Sequence, residues 1–416
     1  MNKKISLGTC IALIFLVAAV CISATMYLSI NVFNKQLANV GERSAMFDKF
    51  SEIDQKVRQN YAGTIDEEKL NDEIAKGYIK GIDDKYGVYF TGEEYNNMQN
   101  RLNGKDVGIG IRAGENTDGN IYIYSVIKNT PAQRAGIIKG DIIFEIDNKK
   151  VKSIGFDKAV EMMLGEEGKN LKFKILRDEK EIEFDITRDD YSSYSVEYKT
   201  INDIGYIKIY EFNNNTAEQF KEAITQLQMR RISGLVFDVR NNPGGTLDSV
   251  AKTLDMLLPA GTIVSSTDKD GVNTPLYTSD ANEIDLSMMV LINKKSASAA
   301  ELFASALRDF EKAQLVGEKT YGKGSMQTIF KLSDGSAIDL TIAKFNPPKS
   351  QNFEGIGLEP DFEVKLSETN EKYFYLMKDT EDTQLVKAFE ELGSTVEDII
   401  EEYDEINDNF SSKPIE

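Results

Sequence analysis

Two stretches decide the fold: Gly234-Leu-Val-Phe-Asp-Val-Arg-Asn-Asn-Pro-Gly-Gly245 and Met288-Met-Val-Leu-Ile-Asn-Lys-Lys-Ser-Ala-Ser-Ala-Ala-Glu301. Each opens with a short, unbroken apolar run, as in a strand covered on both faces. Each then passes through a turn of small or polar residues into a helix. The first helix is expected near Leu247 to Leu258. The second has Leu302, Phe303, Ala306, Leu307 and Phe310 on one face. Strand-turn-helix units in series predict an α/β core with its sites at the carboxyl ends of the strands. Met326 to Leu332 and Ala337 to Ile342 flank Asp334-Gly335 and read as a hairpin.

Working outward, Val107 to Arg188 reads as short strands and turns. Asn120 to Val126 alternates strongly, and Pro131 to Gly136 is a short helix with Pro at its start and Gly at its stop. Phe156 to Leu164 is a second short helix, and Asn170 to Leu176 with Glu181 to Ile186 is a closing hairpin. Upstream, Glu42 to Met98 is mostly helical, with Phe47, Phe50, Ile53, Val57 and Tyr61 recurring at threes and fours. Asp83-Asp84-Lys85-Tyr86-Gly87 reads as a turn. After Val364 the chain is acidic but keeps an apolar stripe at Leu385, Phe389, Leu392, Val396 and Ile400. That stripe reads as a solvated helical tail, packed on the body or on a second copy. No internal repeat is present.

Residues 5–34 carry no charge. The nearly all-apolar core, Cys10 to Ile30, is about 30 Å long as a helix, one hydrocarbon thickness. Lys3 and Lys4 before it favour a cytoplasmic amino terminus and an extracytoplasmic body. A cleaved signal peptide is the rival reading, but an A-x-A-like site is not evident.

The chain has 416 residues, 49 Lys+Arg against 68 Asp+Glu, a net charge of −19 and no histidine. The acidic balance argues against nucleic acid as a partner. The missing histidine excludes Ser-His-Asp triads, Cys-His dyads and imidazole-dependent zinc sites. Cys10 and Cys21 both fall in the apolar amino-terminal segment, which leaves the body without a disulfide or thiol nucleophile. Acid–base chemistry near neutral pH therefore falls to Lys, Tyr, Asp or Glu.

Ser298, at a helix start with Glu301 three residues on, is by itself an ordinary cap and capping box. It also suits a nucleophile at the positive end of a helix, with the Ala299 amide aimed at an oxyanion. Tyr321-Gly322-Lys323-Gly324-Ser325-Met326-Gln327 is by itself an exposed turn. Buried, Lys323 becomes a general base, because desolvation lowers a lysine pKa. Gln327 is placed to hold the amine without adding charge, and Asn242-Pro243-Gly244-Gly245 is placed to add a second bare N–H.

In this order, DVRNNPGG (Asp238 to Gly245), SASAAE (Ser296 to Glu301) and TYGKGSMQ (Thr320 to Gln327) resemble the C-terminal processing peptidases, Ser-Lys proteases of the tail-specific group. The spacing agrees, with 25 residues from Ser298 to Lys323 and four from Lys323 to Gln327. The resemblance covers residues 45–390 and implies a crotonase/Clp-like α/β core. It implies Ser298 as nucleophile, Lys323 as base, Gln327 as its orienting residue, and the Gly244 and Ala299 amides as oxyanion hole. The middle segment resembles the PDZ domain that this family inserts before its core. There Gly108, Ile109, Gly110 and Ile111 correspond to the loop that binds a chain-terminal carboxylate.

The expected organisation is an anchor over 1–34, a helical region over 35–106, a PDZ domain over 107–188, the protease core over 189–364 and an acidic helical region over 365–416. No metal or organic cofactor is implied. Expected partners are proteins with exposed C-terminal tails and the membrane, and a homodimer is left open. The alternative is a non-catalytic PDZ scaffold. Two departures from the family pattern stand out: Leu164-Gly165 where an Arg usually precedes the Gly, and Asn346-Pro347-Pro348-Lys349-Ser350 in place of a Thr-Pro-x-Gly turn.

Overall fold

The computed structural model describes residues 40–396 and isolated positions between 16 and 26. Most of the apolar amino-terminal segment and the last 20 residues lie outside that range. Among the described residues no helix is long and apolar enough to cross a membrane. The expected anchor therefore falls outside what is described. The chain divides into residues 1–74 and 75–416, and each is taken by itself.

In the first unit, helix Val40–Asn60 carries the stripe Phe47, Phe50, Ile53 and Val57, which stays exposed. The Arg58 guanidinium joins Asp54 on its own helix to Glu67.

The second unit is built on a six-stranded sheet in sequential order: β1 (Val196–Ile201), β2 (Ile204–Ile209), β3 (Gly234–Asp238), β4 (Ser287–Ile292), β5 (Ala313–Gly317) and β6 (Phe362–Glu363). β1 and β2 are antiparallel, and every later pair is parallel. All five residues of β3 are buried, because both faces of the sheet are covered. Helices α1 (Thr216–Met229), α2 (Leu247–Asp255) and α3 (Ala299–Asp309) pack on the face carrying Leu235, Phe237, Val290 and Leu315. Phe303 of α3 meets Phe237 edge-on with ring centroids 5.4 Å apart and touches Phe212 at 5.7 Å. Truncating such a ring costs about 3–5 kcal/mol.

Helix α4 (Thr383–Glu391) covers the other face. Leu385, Ala388 and Phe389 join Val236, Met289, Leu291 and Val316 in one cluster. Of the expected stripe, Leu385, Phe389, Leu392 and Val396 pack on the body as the second half of the core, and Ile400 lies outside the described residues. Helix α3 is enclosed on every side: each residue from Ala299 to Leu307 is buried.

Five further strands form an antiparallel sheet. Ala337–Asn346 pairs with Val88–Phe90, Gly261–Asp268 and Ser325–Lys331, and Gly261–Asp268 pairs with Asn273–Ser279. The three-residue strand Val88–Phe90 was not legible in the helical pattern around it. The middle segment forms its own sheet, with Ile111–Glu115 at one edge beside Ile121–Val126. It joins the body through a ribbon in which Lys105–Gly108 pairs antiparallel with Asp189–Ser192.

Candidate active site

The turn after β4 is braced before it reaches Ser298. Ser296 Oγ donates to Val239 O at 2.8 Å, and Ala297 N donates to Asn242 O at 3.0 Å. Ser298 then adopts φ 57°, ψ −114°, outside the ordinary regions for a residue with a Cβ. Such a conformation costs about 1–3 kcal/mol and persists only where the surroundings over-determine it. Here the Ser298 N–H is held by Glu301 Oε2 at 2.9 Å, and its carbonyl accepts from Leu302 N at 2.9 Å. The residue is 9% exposed.

The glycine loop after β3 lies against this turn. A Cβ on Gly244 would stand 2.8 Å from Ala297 O, 2.9 Å from Ser298 Cβ and 3.0 Å from Ala299 N. Gly244, Ser298 and Ala299 are thus brought together, and only a glycine allows it. On its other side the loop is zipped to Phe212: Phe212 N donates to Gly244 O and Thr246 N to Phe212 O. The Gly244 amide itself donates to Asn242 Oδ1 at 2.8 Å, so in this arrangement it is held within the loop.

Glu301 ties the two halves of the site together. It is fully buried. Its Oε2 accepts from Ser298 N and from Lys323 N at 2.8 Å, and its Oε1 accepts from Gly322 N at 2.7 Å and from the Thr320 hydroxyl. Thr320 Oγ1 in turn accepts from Leu358 N. Burial pushes the Glu301 carboxyl above its usual range, and these four donors pull it back. The sequence reading saw Glu301 only as half of a helix cap.

Lys323 is half-buried, and burial lowers its ammonium below the ordinary lysine value. Asp339, Glu354 and Asp84 work in the opposite sense, and Lys85 adds to the lowering. The amine rests 4.7 Å from the centroid of the Tyr86 ring. The Gln327 amide donates to Ser325 Oγ at 3.0 Å and Thr341 Oγ1 at 3.2 Å rather than to Lys323.

A family model described as Peptidase family S41 matches residues 203–364, and one described as PDZ domain matches residues 107–187. The chain is 32% identical over 368 residues to a CtpA-like serine protease of Staphylococcus haemolyticus, covering 87% of this chain and 74% of that protein. It belongs to the C-terminal processing peptidases. A CtpA-like serine protease of Staphylococcus aureus strain MSSA476 is 28% identical, with 98% of this chain and 85% of that protein covered. A solved structure assigned to the S41 proteases of Bacteroides fragilis NCTC 9343 shares the fold, with a TM-score of 0.55 at 18% identity. That match covers 82% of this chain and 96% of the other. The chain is thus a serine-type protease, and the scaffold alternative is not favoured.

Beneath the glycine loop of this peptidase lies a buried ionic network. Asp238 accepts from Lys208 Nζ at 2.9 Å and from Arg240 at 2.7 Å, and Arg240 reaches Asp382 at 2.7 Å. Burial alone would raise the Asp238 carboxyl, but Arg240 and Lys208 hold it well below the usual carboxylate range. Burial lowers Lys208, against the pull of Asp238. Phe374 covers both cations, and its neighbour Tyr375 lies beside Asn241 in the glycine loop.

The PDZ domain leans on the same region. Tyr124 stacks on Tyr375 with centroids 4.4 Å apart and planes at 7°. Arg112, on the edge strand, lies 3.7 Å from the Tyr210 ring centroid, 3.6 Å from Glu197, and donates to Tyr194 O. Gly108, Ile109 and Gly110 are buried and Ile111 is half-buried, away from Ser298 in the PDZ domain's own fold. Gly110 is at φ 82°, where a Cβ would strike Thr130. Arg188 caps the helix Phe156–Met163 through Met162 O and Met163 O. Among the described residues, Glu167, Asp189 and Asp190 form an acidic trio with metal-ligand spacing, and Asp189 is paired with Arg134. The trio belongs to the PDZ segment and its ribbon.

Proposed function

We propose that this peptidase is a membrane-anchored, extracytoplasmic serine endopeptidase working through a Ser298–Lys323 dyad, with a PDZ domain that takes substrate C-termini. The observation that carries the dyad is the Glu301 carboxylate, one oxygen of which binds the amides of both Ser298 and Lys323. The nucleophile and the base are thereby built as one unit.

In the reaction Ser298 Oγ attacks the scissile carbonyl carbon while its proton passes to the neutral Lys323 amine. The oxyanion forms beside Ala299 N and Gly244 N, once Gly244 is released from Asn242 Oδ1. Collapse breaks the C–N bond, and the leaving amine takes the proton from Lys323. Water then attacks the acyl-enzyme, with Lys323 again accepting the proton, and the new carboxyl terminus leaves. Gln327 orients Lys323 when the amine turns toward Ser298. The edge strand Ile111–Glu115 is open on one side and suits a peptide added as a further strand, its carboxylate at Gly108 to Ile111. The uncharged span of residues 5–34 supplies the anchor.

Ser298→Ala and Lys323→Ala should each abolish cleavage of a peptide substrate and leave the fold intact, with the double variant scarcely worse than either single one. A serine-directed fluorophosphonate should label the parent and not Ser298→Ala. Substantial turnover by either variant refutes the dyad.

A further inference from the structure

The turn Asp83–Gly87 lies outside both segments matched by family models, yet it borders the base. Asp84 accepts from Thr341 N at 2.8 Å and Thr341 Oγ1 at 2.9 Å, and the same hydroxyl accepts from Gln327 Nε2. Tyr86 OH donates to Glu354 Oε1 at 3.2 Å, and Glu354 Oε2 accepts from Gly324 N at 2.8 Å. Lys85 Nζ donates to Tyr86 OH at 2.9 Å. The strand Val88–Phe90 that follows is paired with Ala337–Asp339. The ring is therefore fixed from several sides, and the Lys323 amine lies 4.7 Å from its centroid.

An aromatic face attracts an ammonium and not a neutral amine. Bonded at its rim by Lys85 and Glu354, the Tyr86 ring favours the protonated lysine, and a protonated lysine cannot accept the Ser298 proton. We propose that Tyr86 is a positioning residue of this active site: its ring is the resting platform of the Lys323 ammonium, and base catalysis begins when the amine leaves it. The inference rests on Lys323 being the base. The charged groups that face Lys323 are Asp84 and Lys85 on the turn, Asp339 on the adjoining strand and Glu354 on the loop opposite. Asp339 Oδ1 is buried without a hydrogen-bond partner, and burial raises its carboxyl while Lys323 lowers it.

The test is the pH dependence of kcat/KM on a fluorogenic peptide, using the full chain with Tyr86→Phe, Tyr86→Leu and a trifluorinated phenylalanine at position 86. The fluorinated ring keeps its shape and loses the negative face. Tyr86→Leu and the fluorinated variant should raise kcat/KM on the acid limb about three- to tenfold, the factor expected from losing one cation–π contact. The alkaline plateau should stay within about twofold, and Tyr86→Phe, which keeps the ring face but loses the bonds of its hydroxyl to Lys85 and Glu354, should fall between the parent and Tyr86→Leu. An acid limb that is unchanged or lower in the fluorinated variant overturns the proposal, even if Tyr86→Leu fails to fold. Lys323→Ala, run beside them, separates the two ideas. If it cleaves, the dyad assignment fails. If it is dead and the fluorinated ring moves nothing, only the role of Tyr86 falls.

Discussion

Glu301→Gln changes one atom and leaves the volume of the side chain nearly unaltered. It also replaces one of two acceptor oxygens by an NH2 group. Each oxygen now serves two donors: Ser298 N and Lys323 N on one, Gly322 N and the Thr320 hydroxyl on the other. With the NH2 at the Oε2 position two N–H groups face a donor; at the Oε1 position Gly322 N does, while the Thr320 hydroxyl can turn to accept, so at least one buried donor loses its partner in a fully buried site. A buried donor left without a partner costs about 1–3 kcal/mol, so the substitution should cost at least about 1–3 kcal/mol. That is a large part of the roughly 5–15 kcal/mol by which a domain is stable. The loss should be read by urea unfolding in a Ser298→Ala background, where self-digestion is excluded. Turnover should suffer more than binding. Displacing the Ser298 turn or the Lys323 loop by about 1 Å is enough to lower kcat on the order of a hundredfold, with KM little changed. If Glu301→Gln unfolds within about 0.5 kcal/mol of its parent and keeps kcat within about threefold, the shared carboxylate does not assemble the site.

Two further outcomes follow from the same geometry. Lys323 accepts a proton only when neutral, and burial sets its folded pKa below the ordinary 10.5. Activity should therefore be low in acid and rise with pH, with its midpoint below 10.5; a profile that begins to rise only above 10.5 would mean a solvated lysine. Asp382→Asn removes a charge from buried Arg240 and should destabilise the Ser298→Ala protein by about 3–5 kcal/mol, whereas Asp248→Asn, at the exposed pair with Lys252, should cost less than about 1 kcal/mol. Equal unfolding midpoints for the two would refute the importance of the network.

What was legible in the sequence was what local pattern encodes. β3 and β4 announce themselves because both of their faces are buried, and the turns after them carry Gly244 and Ser298. The parts that were not legible depend on residues far apart in the chain. Asp238 meets Lys208, and Arg240 meets Asp382, only after β2, β3 and the carboxyl-terminal helix have come together. The acidic surroundings of Leu385 and Phe389 left open whether their helix packs on the body or on a second copy; these residues complete the core. Asp84 and Tyr86 looked like an ordinary turn because nothing local shows that Thr341, Glu354 and Lys323 pack against it. Glu301 was visible, but its helix-capping role hid three of its four partners.

The ribbon that carries the PDZ domain has four cross-strand pairs, from Lys105 with Ser192 to Gly108 with Asp189. Everything between Gly108 and Asp189 thus hangs from one point on the body, with its two ends already side by side. The entropy of closing such a connection grows only logarithmically with its length, by about 0.6 kcal/mol per doubling. The size of what is spliced in is therefore almost immaterial to the stability of the six-stranded sheet. The splice point is a socket, open to exchange of one recognition module for another of different length. Compatibility would be decided by two surface positions, Arg112 on Tyr210 and Tyr124 on Tyr375. A graft that restores those two contacts inherits the connection to the glycine loop, and one that omits them remains a passenger.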